Sequence, residues 1–317
     1  MKDVARYHKI VIVTRKTLLQ ELVERHGSRD QAAFLTTNRG QSFEEIDDAH
    51  QCYQTALALL KAAIPPQVRM QLIDRSFLPN FLFSPDDLIV TLGQDGLVVN
   101  VAKYLSQQPI LAFNPDPQRI DGVLLPFRMD RAASALGAAL YDGLPARRYT
   151  MARATLNDGQ TLDAVNDLFI GVQSHASARY RLEFRGFNEE QSSSGIIVST
   201  GAGSTGWFRS VLTASAGVAA GFLGEEAVGS LRDQYQFSAE TPQLRFTIRE
   251  PFVSRTSSAR VVYGEIQPEE SLEITSRMAN NGVIFSDGME ADFLKFESGM
   301  TARIAVANRR MNLIWPS

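Results

Sequence analysis

Residues 87–105 read DLIVTLGQDGLVVNVAKYL, and the apolar rhythm changes at four residues, GQDG. Leu88 to Leu92 is short, partly β-branched and nearly all apolar, the pattern of a strand buried on both faces of a parallel sheet. Leu97, Val98, Val101, Ala102 and Leu105 then recur at helical spacing, so the junction is a strand-to-helix turn. In open α/β sheets such turns lie at the carboxyl edge, where glycine lets backbone N–H groups approach a phosphate. Asp95 therefore stands beside a candidate phosphate site. A carboxylate repels phosphate, which leaves three uses for it: to hold a metal ion, to accept a proton from an attacking hydroxyl, or to cap the helix.

Outward from this stretch, strand and helix signals alternate. KIVIVT (Lys9 to Thr14) reads as a strand, LLQELVERHG as a helix closed by Gly27, and Glu44 to Ile64 as a longer helix stopped by Pro65 and Pro66. RMQLI and PILAFN add strands on either side of the opening stretch. The succession predicts a doubly wound, Rossmann-like α/β domain over residues 1–128. RMDRAASALGAALYDG reads as a helix ending at Gly143, and a linker with Pro145 follows. Beyond it the segments shorten and often alternate: LDAVNDLFIGV, ARYRLEFRG, GIIVST, LRFTIRE, ARVVYG, SLEITS, GVIFSDG and ARIAVAN. They predict a β-rich, sandwich-like domain over residues 129–317, its extreme carboxyl terminus packing back on the first. Ser192 to Ser194 reads as a loop before the strand at Ile196.

Bulk properties exclude several classes. With 317 residues and 44% hydrophobic content, the chain is a globular protein large enough for two cores. A formal charge of −3 gives no reason to expect nucleic acid as a partner. No apolar run reaches the length that crosses a bilayer, and the start lacks a signal-peptide core, so no membrane partner and a cytoplasmic location are expected. Cys52 is the single cysteine and falls in a helical pattern, as a structural thiol does. The four histidines show no metal-ligand spacing, no G-x-S-x-G elbow is present, and no G-x-G-x-x-G follows the first strand.

Three further segments carry possible chemistry. Asn166 and Asp167 stand together ahead of an apolar strand, most simply as a turn. The loop after GIIV supplies Ser199, Thr200, Gly201, Gly203, Ser204, Thr205 and Gly206, then Trp207. It offers hydroxyls, backbone N–H groups and a ring able to pack on a base or sugar, without the Gly-Lys ending of a P-loop. Asp287 and Gly288 read as a hairpin turn. Arg147, Arg148, Arg153, Arg179, Arg181 and Arg185 read as a solvated face.

Each motif is weak alone, but their order is specific. GQDG at 93–96, NPDP at 114–117, ND at 166–167, GIIVSTGAGSTGW at 195–207 and SDG at 286–288 resemble the successive signatures of the NAD kinase family, within the superfamily of diacylglycerol and sphingosine kinases. The resemblance is nearest to the mitochondrial-type branch and spans Asp87 to Gly288; the residues before it fit in texture only. It implies an ATP-dependent NAD kinase using magnesium or another divalent cation, with NAD and ATP as partners and a homodimer or homotetramer as the assembly. By the same resemblance Asp95 is the base acting on the 2′-hydroxyl of the adenosine ribose, while Gly93, Gln94 and Gly96 belong to the ATP phosphate site. Asn166, Asp167, Thr200, Gly203, Ser204, Thr205 and Trp207 would line the NAD pocket. Two departures stand out: Gln94 replaces a glycine of the GGDG pattern, and Gly206 and Trp207 replace alanine and tyrosine. A superfamily kinase acting on a lipid or sugar hydroxyl, and a non-catalytic NAD(P) sensor, are the alternatives.

Overall fold

The computed structural model describes residues 5–229 and 234–316. The chain divides into two compact units, Met1–Arg147 with Asn312–Ser317, and Arg148–Met311.

The first unit is built on parallel strands in the spatial order Arg69–Asp74, Lys9–Thr14, Asp87–Leu92 and Pro109–Asn114. Asn312 and Leu313 extend this sheet by pairing in parallel with Pro109 and Ile110. Every residue of Asp87–Leu92 is buried, which is why that strand carries no polar alternation. The helix Leu18–His26 opens with a reciprocal capping box between Thr17 and Gln20. Phe43–Ala62 begins at the Ser42 cap and packs Tyr53, Ala56 and Leu60 against Ile10, Ile12, Leu88 and Val90. Ala132, Ala135, Leu136, Ala139 and Leu140 join that same cluster. Their burial there explains why the first unit runs to Arg147, beyond the boundary expected at residue 128. Near its end Trp315 donates its backbone N–H to the Pro145 carbonyl at 2.8 Å, and the Arg147 guanidinium lies 3.7 Å from the centre of the Trp315 ring.

The second unit packs two antiparallel layers. One is a six-stranded sheet in the order Tyr263–Ile266, Leu244–Ile248, Ile196–Ser199, Asp167–Val172, Gly282–Ser286 and Met289–Lys295. The other runs Phe187–Ser193, Ala178–Phe184, Leu272–Ser276 and the first part of Thr301–Ile314, joined by the hairpin of Ala146–Leu156 with Thr161–Ala164. Leu182, Phe184, Ile274 and Ile304 from this layer share a core with Ile170, Val198, Phe246 and Ile284 of the sheet. Phe184 meets Phe246 edge to face at 5.0 Å, and the result is a β-sandwich.

Four expectations change. Ser192 and Ser193 finish a strand, paired with Arg179 and Ala178, because the Ser193 hydroxyl bonds the buried Tyr180 phenol at 2.7 Å. The strand expected in ARVVYG starts only at Tyr263. Arg153 is no solvated cation: it grips Asp163 through two bonds of 2.6 and 2.8 Å, while Arg309 bonds the same carboxylate. A 17-residue helix, Trp207–Leu223, also stands in the β-rich half, with only Phe208 and Ala216 buried.

Candidate active site

The sequence-predicted residues fall into two sets, one in each unit. In the first, the chain leaves the buried Asp87–Leu92 strand through Gly93 and enters the helix Asp95–Ala102. The N-cap position belongs to Gln94, which makes no side-chain cap bond. Asp95 therefore does not cap its own helix. Its Oδ1 instead accepts the Leu124 N–H at 2.6 Å, from a loop 29 residues further on. That loop is fixed by the NPDP motif: the Asn114 amide donates to the Ile120 carbonyl at 2.9 Å and its oxygen accepts the Asp116 N–H at 3.0 Å. Two motifs that are separate in sequence thus combine to aim one carboxylate.

Gln94 is exposed, and its Oε1 accepts from Arg15 Nη1 at 2.5 Å. Arg15 is the first residue after the strand Lys9–Thr14, and its own N–H meets the Tyr53 hydroxyl at 3.4 Å. Cys52, half-buried, donates its thiol to the Pro115 carbonyl, and burial pushes that thiol's pKa up. It is a structural thiol.

In the second unit, sheet register does the assembling. Asp167 opens a strand flanked by Ile196–Ser199, where Ser199 faces Asp167, and by Gly282–Ser286, where Ser286 faces Leu168. The ND pair, the Ser-Thr-Gly loop and the SDG turn consequently converge at one end of three neighbouring strands. Thr200 donates its hydroxyl to the Val165 carbonyl at 2.5 Å and its N–H to the Asn166 carbonyl at 2.9 Å. Gly203 closes on the same spot: a Cβ there would lie 2.1 Å from the Asn166 carbonyl oxygen, so only glycine lets the two backbones touch. Ser204 is buried and donates to the Gly201 carbonyl at 2.7 Å, whereas Thr205 is exposed. The Trp207 ring stacks on Phe169 at 5.5 Å with an interplanar angle of 10°, and the Arg249 guanidinium sits 5.2 Å from its centre.

From the sequence, Asp287 is expected as a turn residue. The turn is there, with φ of 57° at Asp287 and 68° at Gly288, as a tight type I′ hairpin requires. The side chain does more. Its carboxylate accepts the N–H groups of Val165, Asn166 and Asp167 at 3.1, 2.7 and 3.2 Å, which sets the backbone of the ND pair. A DG turn that shares a sheet end with ND was the available signal, but pairing across some 120 positions is invisible to spacing.

Asp167 is buried, and burial, reinforced by the Asp287 charge, pushes its carboxyl up to about 7. The folded state thus holds a proton that the unfolded state releases near pH 4, and between those values the native form binds more protons. Stability from this group is full below about pH 4 and is lost as pH rises through about 7. Melting curves from pH 4 to 8 should show this decline, and Asp167→Asn should flatten it; identical pH profiles for the two proteins would refute the assignment.

No family model and no curated protein sequence matches the chain. In three dimensions it matches yeast NADH kinase complexed with NADH, with a TM-score of 0.59 and 16% identity over 98% of this chain and 84% of that one. It also matches an NAD kinase from Archaeoglobus fulgidus in complex with ATP, at 0.55 and 16% over 96% and 93%. The chain has the fold of these kinases. The match extends over nearly the full length, so the residues before Asp87, which fit in texture only, share that fold as well.

Proposed function

We propose that the protein is an ATP- and magnesium-dependent NAD kinase that phosphorylates the 2′-hydroxyl of the adenosine ribose to make NADP. One observation carries the reading: over a chain with the kinase fold, the ordered motifs become two built clusters, Asp95 aimed by the NPDP loop and the ND pair fixed by Asp287.

Phosphoryl transfer asks little covalent work of a protein; it needs positioned groups and charge stabilisation. The acceptor oxygen attacks the γ-phosphorus, that O–P bond forms as the β–γ bridge breaks, and the hydroxyl proton passes to Asp95. The Leu124 amide, fixed on Oδ1, leaves Oδ2 to take it. Gly93, Gln94 and Gly96 shape the donor's phosphate site at the start of the helix; the Gly93 N–H is taken by the Phe113 carbonyl at 3.4 Å, so the helix-start amides that follow it are the ones that face the phosphates. Asn166 and Asp167 hold the adenosine portion of NAD, with Thr205 at the exposed rim. Thr200, Gly203 and Ser204 act mainly by shaping the pocket, since the Thr200 and Ser204 hydroxyls already bond backbone carbonyls and the Gly203 N–H bonds the Thr200 hydroxyl. Trp207 forms an aromatic wall.

Magnesium supplies charge neutralisation on the phosphates when bound. Among the described residues no three acidic, histidine or cysteine groups form a cage. An ion there would be held chiefly by the donor's phosphate oxygens and by waters, which leaves Asp95 to its role as base.

Purified protein given NAD, ATP and magnesium should yield NADP, read with an NADP-specific dehydrogenase, and a parallel incubation with NADH tests the reduced acceptor. Binding of both substrates with neither NADP nor NADPH formed would overturn the proposal.

A further inference from the structure

A cleft of about 350 Å³ in the first unit opens beside the GQDG turn, between the end of the first strand and the helix Phe43–Ala62. Ile46, Ala49, Tyr53 and Pro115 give it apolar walls. Three cations and two carboxylates, Glu45 and Asp116, line it, and two of the cations are already neutralised: Lys16 by Glu24 at 2.6 Å and Arg119 by Asp116 at 2.7 Å. Arg15 is different. Among the described residues it has no carboxylate partner, and its guanidinium is held by neutral oxygens, the Gln94 carboxamide at 2.5 Å and, more loosely, the Lys16 carbonyl at 3.4 Å. A carboxamide oxygen orients a guanidinium without cancelling its charge, whereas a carboxylate does both. Arg15 is anchored from below as well, because its N–H meets the Tyr53 hydroxyl, which donates to the Leu92 carbonyl at the end of the strand that leads into GQDG. A fixed, uncompensated guanidinium at the mouth of a partly apolar cleft is an anion site built in advance.

We infer that this cleft binds the polyphosphate chain of the phosphoryl donor through Arg15, and that Gln94 is the positioning residue that holds Arg15 for it. The departure from glycine in GQDG thereby adds a side-chain cation beside the backbone amides of the turn. The inference deepens the kinase reading and rests on it for the identity of the donor.

Calorimetric titration separates the two ideas, because it needs no turnover. ATP and inorganic tripolyphosphate are the probes, titrated into the full chain and into Arg15→Ala, Arg15→Lys, Gln94→Gly and the Arg15→Ala/Gln94→Gly double variant. Arg15→Ala should weaken ATP tenfold or more with NAD affinity unchanged, and Arg15→Lys should recover part of the loss. Gln94→Gly should weaken ATP several-fold, and the double variant should bind no worse than Arg15→Ala alone, since a residue acting through another adds nothing once that partner is gone. Tripolyphosphate binding as tight as ATP would assign the site to the phosphate chain alone; tighter ATP would bring the apolar walls into use, and either result supports the role of Arg15. Unchanged ATP affinity in folded Arg15→Ala overturns the inference even if NADP is made, and additive losses in the double variant overturn the role of Gln94. Arg15-dependent ATP binding without any NADP would instead remove the kinase reading and leave the inference standing.

Discussion

Asp95→Asn should lower kcat for NADP formation by about a hundredfold or more, the range expected on losing a general base. The substitution keeps the size of the side chain and an oxygen able to accept the Leu124 N–H, now 2.6 Å from Oδ1, so the turn should stay in place. What disappears is the negative charge and the capacity to take a proton. Stability should therefore change by less than about 0.5 kcal/mol, as for most partly exposed substitutions. Asp95→Ala makes a useful contrast, because it also strands the Leu124 amide and should cost about 1 kcal/mol more in denaturant unfolding. A fall in kcat shared by both variants, with a stability loss confined to alanine, would separate chemistry from positioning. Turnover of the asparagine variant within a few-fold of wild type would remove Asp95 from the reaction.

Much of the α/β unit was legible because burial there is continuous and local. The strand Asp87–Leu92 shows it: six buried residues in a row leave a short, largely apolar and partly β-branched segment, and the GQDG turn after it marks where the strand ends. Legibility failed where an element lacks a buried stripe. The helix Arg29–Asn38 buries only Ala32 and Thr36, and Trp207–Leu223 is apolar around most of its circumference, so neither shows a clean 3.6-residue period. The site was readable as a set of motifs and unreadable as a set of bonds. Asp95 with Leu124, Gln94 with Arg15, and Asp287 with the ND backbone are contacts of 29, 79 and about 120 positions, fixed by sheet order and loop packing. Side-chain identity at one position carries no mark of such a partner. The capping role weighed for Asp95 illustrates the limit: the residue type suits a cap, but tertiary structure gave the carboxylate a partner outside its own helix.

Asp287→Ala should be the most damaging single change at the second cluster, costing about 3–5 kcal/mol in unfolding free energy at pH 7. Two losses add. The carboxylate is the acceptor for three N–H groups, of Val165, Asn166 and Asp167, and without it each must find water or remain unpaired in a largely buried turn. The backbone at Asp287 also sits at φ 57°, which aspartate tolerates and alanine resists by about 1–2 kcal/mol. One gain opposes them: the Asp287 charge helps hold the Asp167 carboxyl at about 7, so its removal eases ionisation of Asp167. That relief is the smaller term, because burial is the leading cause of the Asp167 shift. Asp287→Gly apportions the losses, since glycine accepts this backbone freely and reports the missing acceptor alone, whereas Asp287→Asn keeps one acceptor oxygen and the backbone preference. The expected order of stability is wild type, asparagine, glycine, alanine. Because the turn fixes the ND backbone, KM for NAD should rise in the same order while ATP affinity stays level. An alanine variant within about 1 kcal/mol of wild type would show that the three amides are satisfied without Asp287.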